Sequence, residues 1–170
     1  MGRRAESLSR IAKALTPTFL GLVGVLLLAL PVRFMEGLIP TPLLPLVVVF
    51  FWSIYGPSYL PSVSVFLIGL LQDLLTGGPL GLWPMVYLLT QYVVLSQRSY
   101  FQGREQQVVW LGFTFATISA AVILWMVMSL MRGELLPIWA LTGQMITTIA
   151  AYPLIAAGFS QLHRRVIVEV

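Results

Sequence analysis

"FLIGLLQDLLTGGPLGLW", residues 66–83, is the stretch that decides the fold of this chain. Two apolar runs flank a turn that contains Thr76, two glycines and Pro79, and Asp73 is the one charged residue of the stretch. Glycine permits the left-handed backbone that a tight reversal needs, and proline presets its φ angle. The stretch therefore predicts two apolar helices joined by a tight turn, with a carboxylate in the last turn of the first helix.

The rest of the chain has the same apolar character. Hydrophobic residues make up 58% of the 170 residues and charged residues 9%, whereas about 25% of a soluble domain is charged. Because a helix needs about 20 residues to cross the hydrocarbon core, we predict an all-α integral membrane protein, a six-transmembrane-helix bundle. The predicted spans are residues 17–32, 42–55, 60–75, 80–96, 108–131 and 137–160. The second and third spans form either a tight hairpin or a re-entrant pair.

Three regions are predicted along the chain: a cytoplasmic N-terminal segment (1–16), the transmembrane domain (17–160) and a cytoplasmic C-terminal tail (161–170). In the first region Leu8, Ile11 and Leu15 recur at helical spacing. Its polar side is basic and consists of Arg3, Arg4, Arg10 and Lys13. This pattern is typical either of an amphipathic helix that lies on anionic lipid or of a plain basic topology signal.

The basic residues indicate an orientation, because short cytoplasmic loops retain Lys and Arg. If the N terminus is inside, only Arg33 and Arg132 lie on the outer face. The other eight basic residues then lie on the inner face: Arg3, Arg4, Arg10, Lys13, Arg98, Arg104, Arg164 and Arg165. Both termini are therefore predicted to be cytoplasmic. Since topology accounts for the basic residues, no nucleic-acid partner is predicted.

The sequence offers little catalytic or metal-binding chemistry. It contains no cysteine and one histidine, His163. No nucleophile has a base nearby, and no pair of carboxylates occurs. The glycine-rich turn is not followed by the Lys and Ser or Thr that a phosphate-binding loop requires. We therefore predict a protein that is not an enzyme and that needs neither a cofactor nor a metal.

Asp73 carries an energetic cost for two reasons. It lies partly within the bilayer, and it lies at the C-terminal, negative end of a helix dipole. Backbone N–H groups of the 76–81 turn, the Thr76 hydroxyl, or Arg33 or Arg132 could offset this cost; otherwise the acid would be protonated. Its role is open between fastening its own turn, contacting a partner, and handling a substrate or proton.

Other polar and special residues lie at membrane depth. Gln72, Gln91 and Gln144 are predicted to form hydrogen bonds between helices. Pro153 alone among the prolines is predicted to lie deep inside a helix. There it would free the carbonyl of Ile149 and bend the helix.

Two stretches carry a resemblance to a known family. "PLLPLVVVFFW" (42–52) and "FLIGLLQDLLTGGPLGLWPMVYLL" (66–89) resemble the rod shape-determining membrane proteins of the MreD family. The resemblance covers about residues 42 to 92. Gln72 lies within the motif, and the most specific positions are Gly69, Asp73, Gly78, Pro79, Leu80 and Gly81. The resemblance makes all seven residues candidates for partner binding or for a structural motif.

What the resemblance implies is a non-enzymatic scaffold in the bacterial inner membrane, within the machinery that elongates the side wall. MreD-like proteins partner MreC there, beside the MreB filament, the RodA glycosyltransferase and a penicillin-binding transpeptidase. A six-helix body would hold the single membrane anchor of MreC, while the basic inner face meets cytoplasmic partners or anionic lipid.

The family is also similar, in helix order and number, to the substrate-binding component of energy-coupling vitamin transporters. The alternative function is therefore the substrate-binding membrane subunit of such a transporter. Against it, the first apolar segment "PTFLGLVGVLLLALPV" (17–32) lacks the Ala-x-x-x-Ala pair expected of a coupling face. The loop that follows contributes only Arg33 and Glu36 to recognise a polar vitamin.

Overall fold

The computed structural model describes residues 2–29 and 40–163; for residues 2–14, Ala140 and His163 it describes the backbone alone. Regular secondary structure in this part of the chain is helical, which confirms the all-α class. The helices are α1 (Gly2–Ala29), α2 (Leu44–Tyr55), α3 (Ser62–Thr76), α4 (Leu82–Ser96), α5 (Arg98–Phe101), α6 (Gln106–Arg132) and α7 (Trp139–His163). A 3-10 turn, Pro57–Tyr59, separates α2 from α3.

The helix bounds lie within three residues of the predictions for α2, α3, α4, α6 and α7. Helix α5 is an additional turn of helix after α4 that hydrophobic periodicity could not reveal, because it has only four residues. Arg33 and Glu36 of the first loop lie outside the described residues. So do Arg164 and Arg165, and with them most of the predicted C-terminal tail.

Helix α1 differs from its prediction. It runs without a break from Gly2 to Ala29 and contains Pro17, so the expectation that Pro153 alone lies inside a helix is wrong. Strong helix formers, Ala12 to Leu15, precede Pro17 and favour continuation despite the lost hydrogen bond. The boundary predicted at residue 16 falls inside this helix. The side chains of Arg3, Arg4, Arg10 and Lys13, predicted to face lipid, lie outside the described part.

Length and apolar character together separate two helices from the others. Gln106–Arg132 and Leu141–Leu162 are long and apolar enough to cross a membrane. Helices α2, α3 and α4 have 12, 15 and 15 residues. At a rise of about 1.5 Å per residue they measure roughly 18 to 22 Å, against about 30 Å of hydrocarbon. Six complete spans therefore stay a prediction.

The shortest of the apolar helices, α2, lies at the centre of the fold. Its residues from Pro45 to Ile54 are all buried. Apart from Ser53, whose hydroxyl donates to the Val49 carbonyl, their sequence is apolar on every side, which is typical of a helix enclosed by others. Helices α1, α4, α6 and α7 pack around it. Inside this ring Phe50 meets Phe113 and Tyr152 edge-on, with ring centroids 5.2 and 5.8 Å away.

A proline in α7 explains one link between helices. Pro153 lacks an N–H, so the carbonyl of Ile149 is not used within the helix. The indole Nε1 of Trp110 on α6 donates a hydrogen bond to this carbonyl at 2.9 Å. The carbonyl predicted to be freed is therefore satisfied by a neighbouring helix, as an apolar environment requires.

Candidate functional site: the hairpin of α3 and α4

The Asp73 side chain joins the end of α3 to the start of α4. Its Oδ2 atom accepts a hydrogen bond from the backbone N–H of Gly81 at 2.6 Å, and its Oδ1 atom accepts one from the N–H of Trp83 at 3.1 Å. Only 1% of the residue is exposed. Both oxygens act as acceptors, which is the hydrogen-bonding pattern of a carboxylate. The two bonds close the hairpin across eight and ten residues of chain.

These bonds also complete the N terminus of α4, where the first N–H groups have no partner within the helix. Gly81 is the N-cap residue and has no side chain, so Asp73 supplies the capping oxygens from the preceding helix. The N–H of Leu82 donates to the carbonyl of Pro79 at 3.3 Å, and residue 84 is a proline without an N–H. The first turn of α4 is therefore satisfied by its own hairpin.

The geometry explains how an acid is accommodated at the C-terminal end of a helix. Asp73 lies at the negative end of α3, but its carboxylate reaches the positive end of α4, where negative charge is stabilised. Of the partners predicted for Asp73, the backbone N–H groups of the turn are confirmed by Gly81. The second donor, the N–H of Trp83, lies just beyond the predicted turn. The Thr76 hydroxyl donates to the Gln72 carbonyl at 2.8 Å instead. Arg33 lies outside the described residues.

Two glycines set the path of the turn. Gly77 has φ +67° and Gly81 has φ +95°, both in the left-handed region that side chains disfavour. The Gly77 N–H donates to the backbone carbonyl of Asp73 at 3.0 Å and ends α3. Gly78, a predicted site residue, is not among the glycines with positive φ. Its neighbour Gly77 adopts the left-handed conformation instead.

Gly69 brings the two helices of the hairpin into close contact. A Cβ atom at this position would lie 2.6 Å from the Cα atom of Pro84 and would also collide with the Pro84 nitrogen. Only glycine permits the two backbones to approach in this way. The resemblance pointed to Gly69 without a reason; the reason is this backbone contact.

All three glutamines at membrane depth bond outside their own helix, but the predicted bond between two helices is confirmed only for Gln72, because Leu60 and Thr41 lie in connecting segments. The side-chain oxygen of Gln72 on α3 accepts a hydrogen bond from the hydroxyl of Tyr87 on α4. The other two donate to backbone carbonyls: Gln91 to Leu60 at 2.9 Å, and Gln144 to Thr41 at 3.3 Å.

A cavity of about 310 Å³ opens beside the hairpin and is called here the hairpin cavity. Its polar lining includes Gln72, Asp73, Thr76 and Gln144. Apolar side chains of α1, α6 and α7 form the opposite wall: Leu28, Leu124, Met128 and Leu141. Among the described residues, no three His, Asp or Glu side chains come together as metal ligands.

The structure brings together most of the predicted site residues. Gly69, Gln72, Asp73 and Gly81 hold the hairpin, and Gly78 and Pro79 line the cavity. Leu80 is 70% exposed and takes no part in these contacts. Sequence reasoning missed four residues that complete the arrangement: Gly77, Trp83, Pro84 and Tyr87. Of these four, only Gly77 could have been predicted from the local sequence, because it belongs to the pair of glycines in the turn.

Fold and site together define a small, apolar, all-helical protein in which a buried acid fastens the hairpin of α3 and α4. The family model for the rod shape-determining protein MreD matches residues 9–159. The chain therefore belongs to the MreD family, a membrane-associated family that functions in determining rod shape. No curated protein and no solved structure matches the chain.

Proposed function

We propose that the protein is a non-enzymatic membrane scaffold of the cell-elongation complex that directs side-wall peptidoglycan synthesis. In this proposal it lies in the bacterial inner membrane, with six spans and both termini in the cytoplasm. It binds MreC and links MreC to other elongation proteins: MreB, RodA and a penicillin-binding transpeptidase. The observation that carries the proposal is the family match over residues 9–159, most of the chain.

The hairpin geometry supports a scaffold because it fixes α3 against α4. The Asp73 bonds, the Gly69 contact and the bond between Gln72 and Tyr87 all join α3 to α4. A buried network whose members are satisfied holds one arrangement of its elements. Within this proposal Asp73 fastens the hairpin, and the partner meets an outer surface that the hairpin keeps in shape.

A role for the N-terminal segment belongs to the same proposal. Arg3, Arg4, Arg10 and Lys13 would hold the start of α1 against anionic lipid at the cytoplasmic surface. The comparisons give no support to the alternative of a vitamin-transporter subunit. The likeness in helix order to the substrate-binding component of those transporters likewise stays a prediction.

Purification of the tagged protein from its native membrane tests the scaffold proposal. We expect MreC to be recovered with it in a defined ratio after crosslinking, and we expect no tightly held vitamin. An unrelated multi-pass protein carrying the same tag is the control. Recovery of a vitamin with no elongation protein would contradict the proposal and favour a transporter.

A further inference from the structure

A second and larger cavity lies away from the hairpin. It has a volume of about 500 Å³ and runs between α4 and α6, with Phe50 of the central helix among its lining residues. Its walls are mostly apolar and include Leu89, Val93, Phe115 and Ala116. This space is called here the α4–α6 groove.

The dimensions of the α4–α6 groove fit one extended hydrocarbon chain. Along α6 it is lined from Val108 to Ile123, about 22 Å at 1.5 Å per residue. A volume of about 500 Å³ over that length corresponds to a long, narrow space. Carbon atoms pack at separations of about 4 Å, so one methylene chain fits. A helix is about 10 Å across and would lie on the groove rather than in it.

The polar side chains whose groups are not used within a helix lie at one end of the groove, because the hydroxyls of Thr90 and Ser119 elsewhere in its wall donate to carbonyls of their own helices. Gln97 and Tyr100 line it there, and the guanidinium carbon of Arg104 lies 5.2 Å from the centroid of the Tyr100 ring. This cation–π contact holds a positive charge at the mouth. The positive, N-terminal end of α6 is at the same end, since Val108 lines the groove.

Two neighbouring charges complete the electrostatics of the mouth. The Arg98 side chain is held against the end of α2, because its Nε atom donates a hydrogen bond to the carbonyl of Ile54 at 3.0 Å. Glu105, the N-cap residue of α6, is exposed and follows Arg104 in the chain. Counted together, Arg98, Arg104 and Glu105 give this end of the groove a formal charge of +1. An apolar channel with a basic mouth matches a lipid that has an anionic phosphate headgroup.

We propose that the α4–α6 groove binds one anionic phospholipid, with an acyl chain between the helices and the headgroup phosphate at Arg104 and Tyr100. The proposal rests on the membrane placement of α4 and α6 in the proposed function, but not on MreC binding. It concerns a site apart from the basic N-terminal segment. The bound lipid would stabilise the contact between α4 and α6 at the predicted cytoplasmic end.

Native mass spectrometry of the purified full-length protein tests this proposal. Dioleoyl phosphatidylglycerol and dioleoyl phosphatidylcholine, which share their acyl chains, are titrated separately. We expect a single phosphatidylglycerol adduct at concentrations where phosphatidylcholine gives none. Arg104→Gln should weaken the phosphatidylglycerol adduct about fivefold, the contribution of one basic side chain near a lipid surface. Arg132→Gln, at the far end of α6, is the control and should change nothing.

A second pair of variants tests the position of the chain. Val93 lines the groove and Val122 does not, yet their exposures are similar, at 52% and 55%. Val93→Trp should therefore abolish the adduct, whereas Val122→Trp should leave it intact. Circular dichroism checks that each variant folds. Equal affinity for both lipids, equal effects of the two arginine variants, or a partner protein crosslinked within the groove in place of lipid would overturn the proposal. Recovery of MreC, measured in parallel, tests the scaffold function separately.

Discussion

At the scale of single residues, Asp73 shows how an acid is accommodated in an apolar chain. Its two oxygens accept two backbone N–H groups, and these belong to the next helix rather than to its own. A residue held in this way is not available to a partner as an exposed charge. Of the three roles that its sequence left open, fastening the hairpin is the one for which the structure provides contacts.

The same contacts predict the effect of Asp73→Asn. An amide has only one acceptor oxygen, so one of the N–H groups of Gly81 and Trp83 would face an NH₂ group and lose its bond. A buried donor left without a partner costs about 1–3 kcal/mol. We expect the Asn variant to lose that much stability in reversible unfolding from mixed detergent micelles. Asp73→Ala should lose more.

Thr90→Ala is a matched control for the Asp73 variants. Thr90 is a buried polar residue of α4 whose hydroxyl bonds only within its own helix, to the carbonyl of Val86. Its loss should cost less than the loss of a contact between helices. An Asn variant as stable as the wild type would show that the Asp73 bonds do not hold the hairpin.

At the scale of helices, backbone contacts and capping by neighbours define the packing. Gly69 admits the backbone of Pro84, and the Thr148 hydroxyl of α7 accepts a hydrogen bond at 2.9 Å from the N–H of Leu43 before α2. Arg98 covers a carbonyl at the C-terminal end of α2. Backbone N–H and C=O groups at helix ends without local caps thus find hydrogen-bond partners on other helices, which an apolar environment makes necessary.

Alanine substitutions at two glycines distinguish the effect of helix packing on stability from the effect of helix propensity. Gly69→Ala must push α3 away from α4, and such overpacking costs about 1–3 kcal/mol. Gly158 lies inside α7, and a Cβ atom there would meet nothing within 4 Å. Gly158→Ala should therefore be neutral or stabilise by up to about 1 kcal/mol. Thermal unfolding of both variants in the same detergent measures the difference, and equal effects would contradict the role of Gly69.

At the scale of the molecule, helix length bears on how the protein lies in a membrane. Helices α6 and α7 can cross it, whereas α2 has 12 residues and is enclosed by its neighbours. A short central helix is protected from lipid by protein, so its ends do not have to reach the aqueous phase unaided. Eight of ten basic residues on one predicted face remain the basis for orientation.

Reporter fusions test the predicted topology. A reporter that is active only in the cytoplasm should work at both termini and in the loop between Arg98 and Arg104. It should be inactive after Arg33 and after Arg132, because these positions are predicted to be outside. Activity in the 132–136 loop would contradict the six-span arrangement. A second reporter that is active only outside the cytoplasm should give the opposite pattern at every position.

Deletion of the protein tests its function in the cell. We expect the loss of rod shape and of side-wall growth, with no vitamin requirement. The wild-type chain and the Gly158→Ala variant should restore the shape, whereas Asp73→Ala should restore it poorly because the hairpin is weakened. Normal rods in the deletion strain would argue against a role in elongation.

The sequence by itself determined the helical class, the positions of α2, α3, α4, α6 and α7, and the turn at residues 76–81, because composition and local backbone chemistry dictate these features. It also determined that the Ile149 carbonyl needs a partner, since Pro153 cannot supply an N–H. Only the tertiary structure decided which partner is used, such as Trp110 for that carbonyl and Trp83 for Asp73. The burial of α2 at the centre was decided in the same way. Local sequence shows which groups need a hydrogen-bond partner or burial. The groups that provide them come from distant parts of the chain, and only the packing of the helices brings them together.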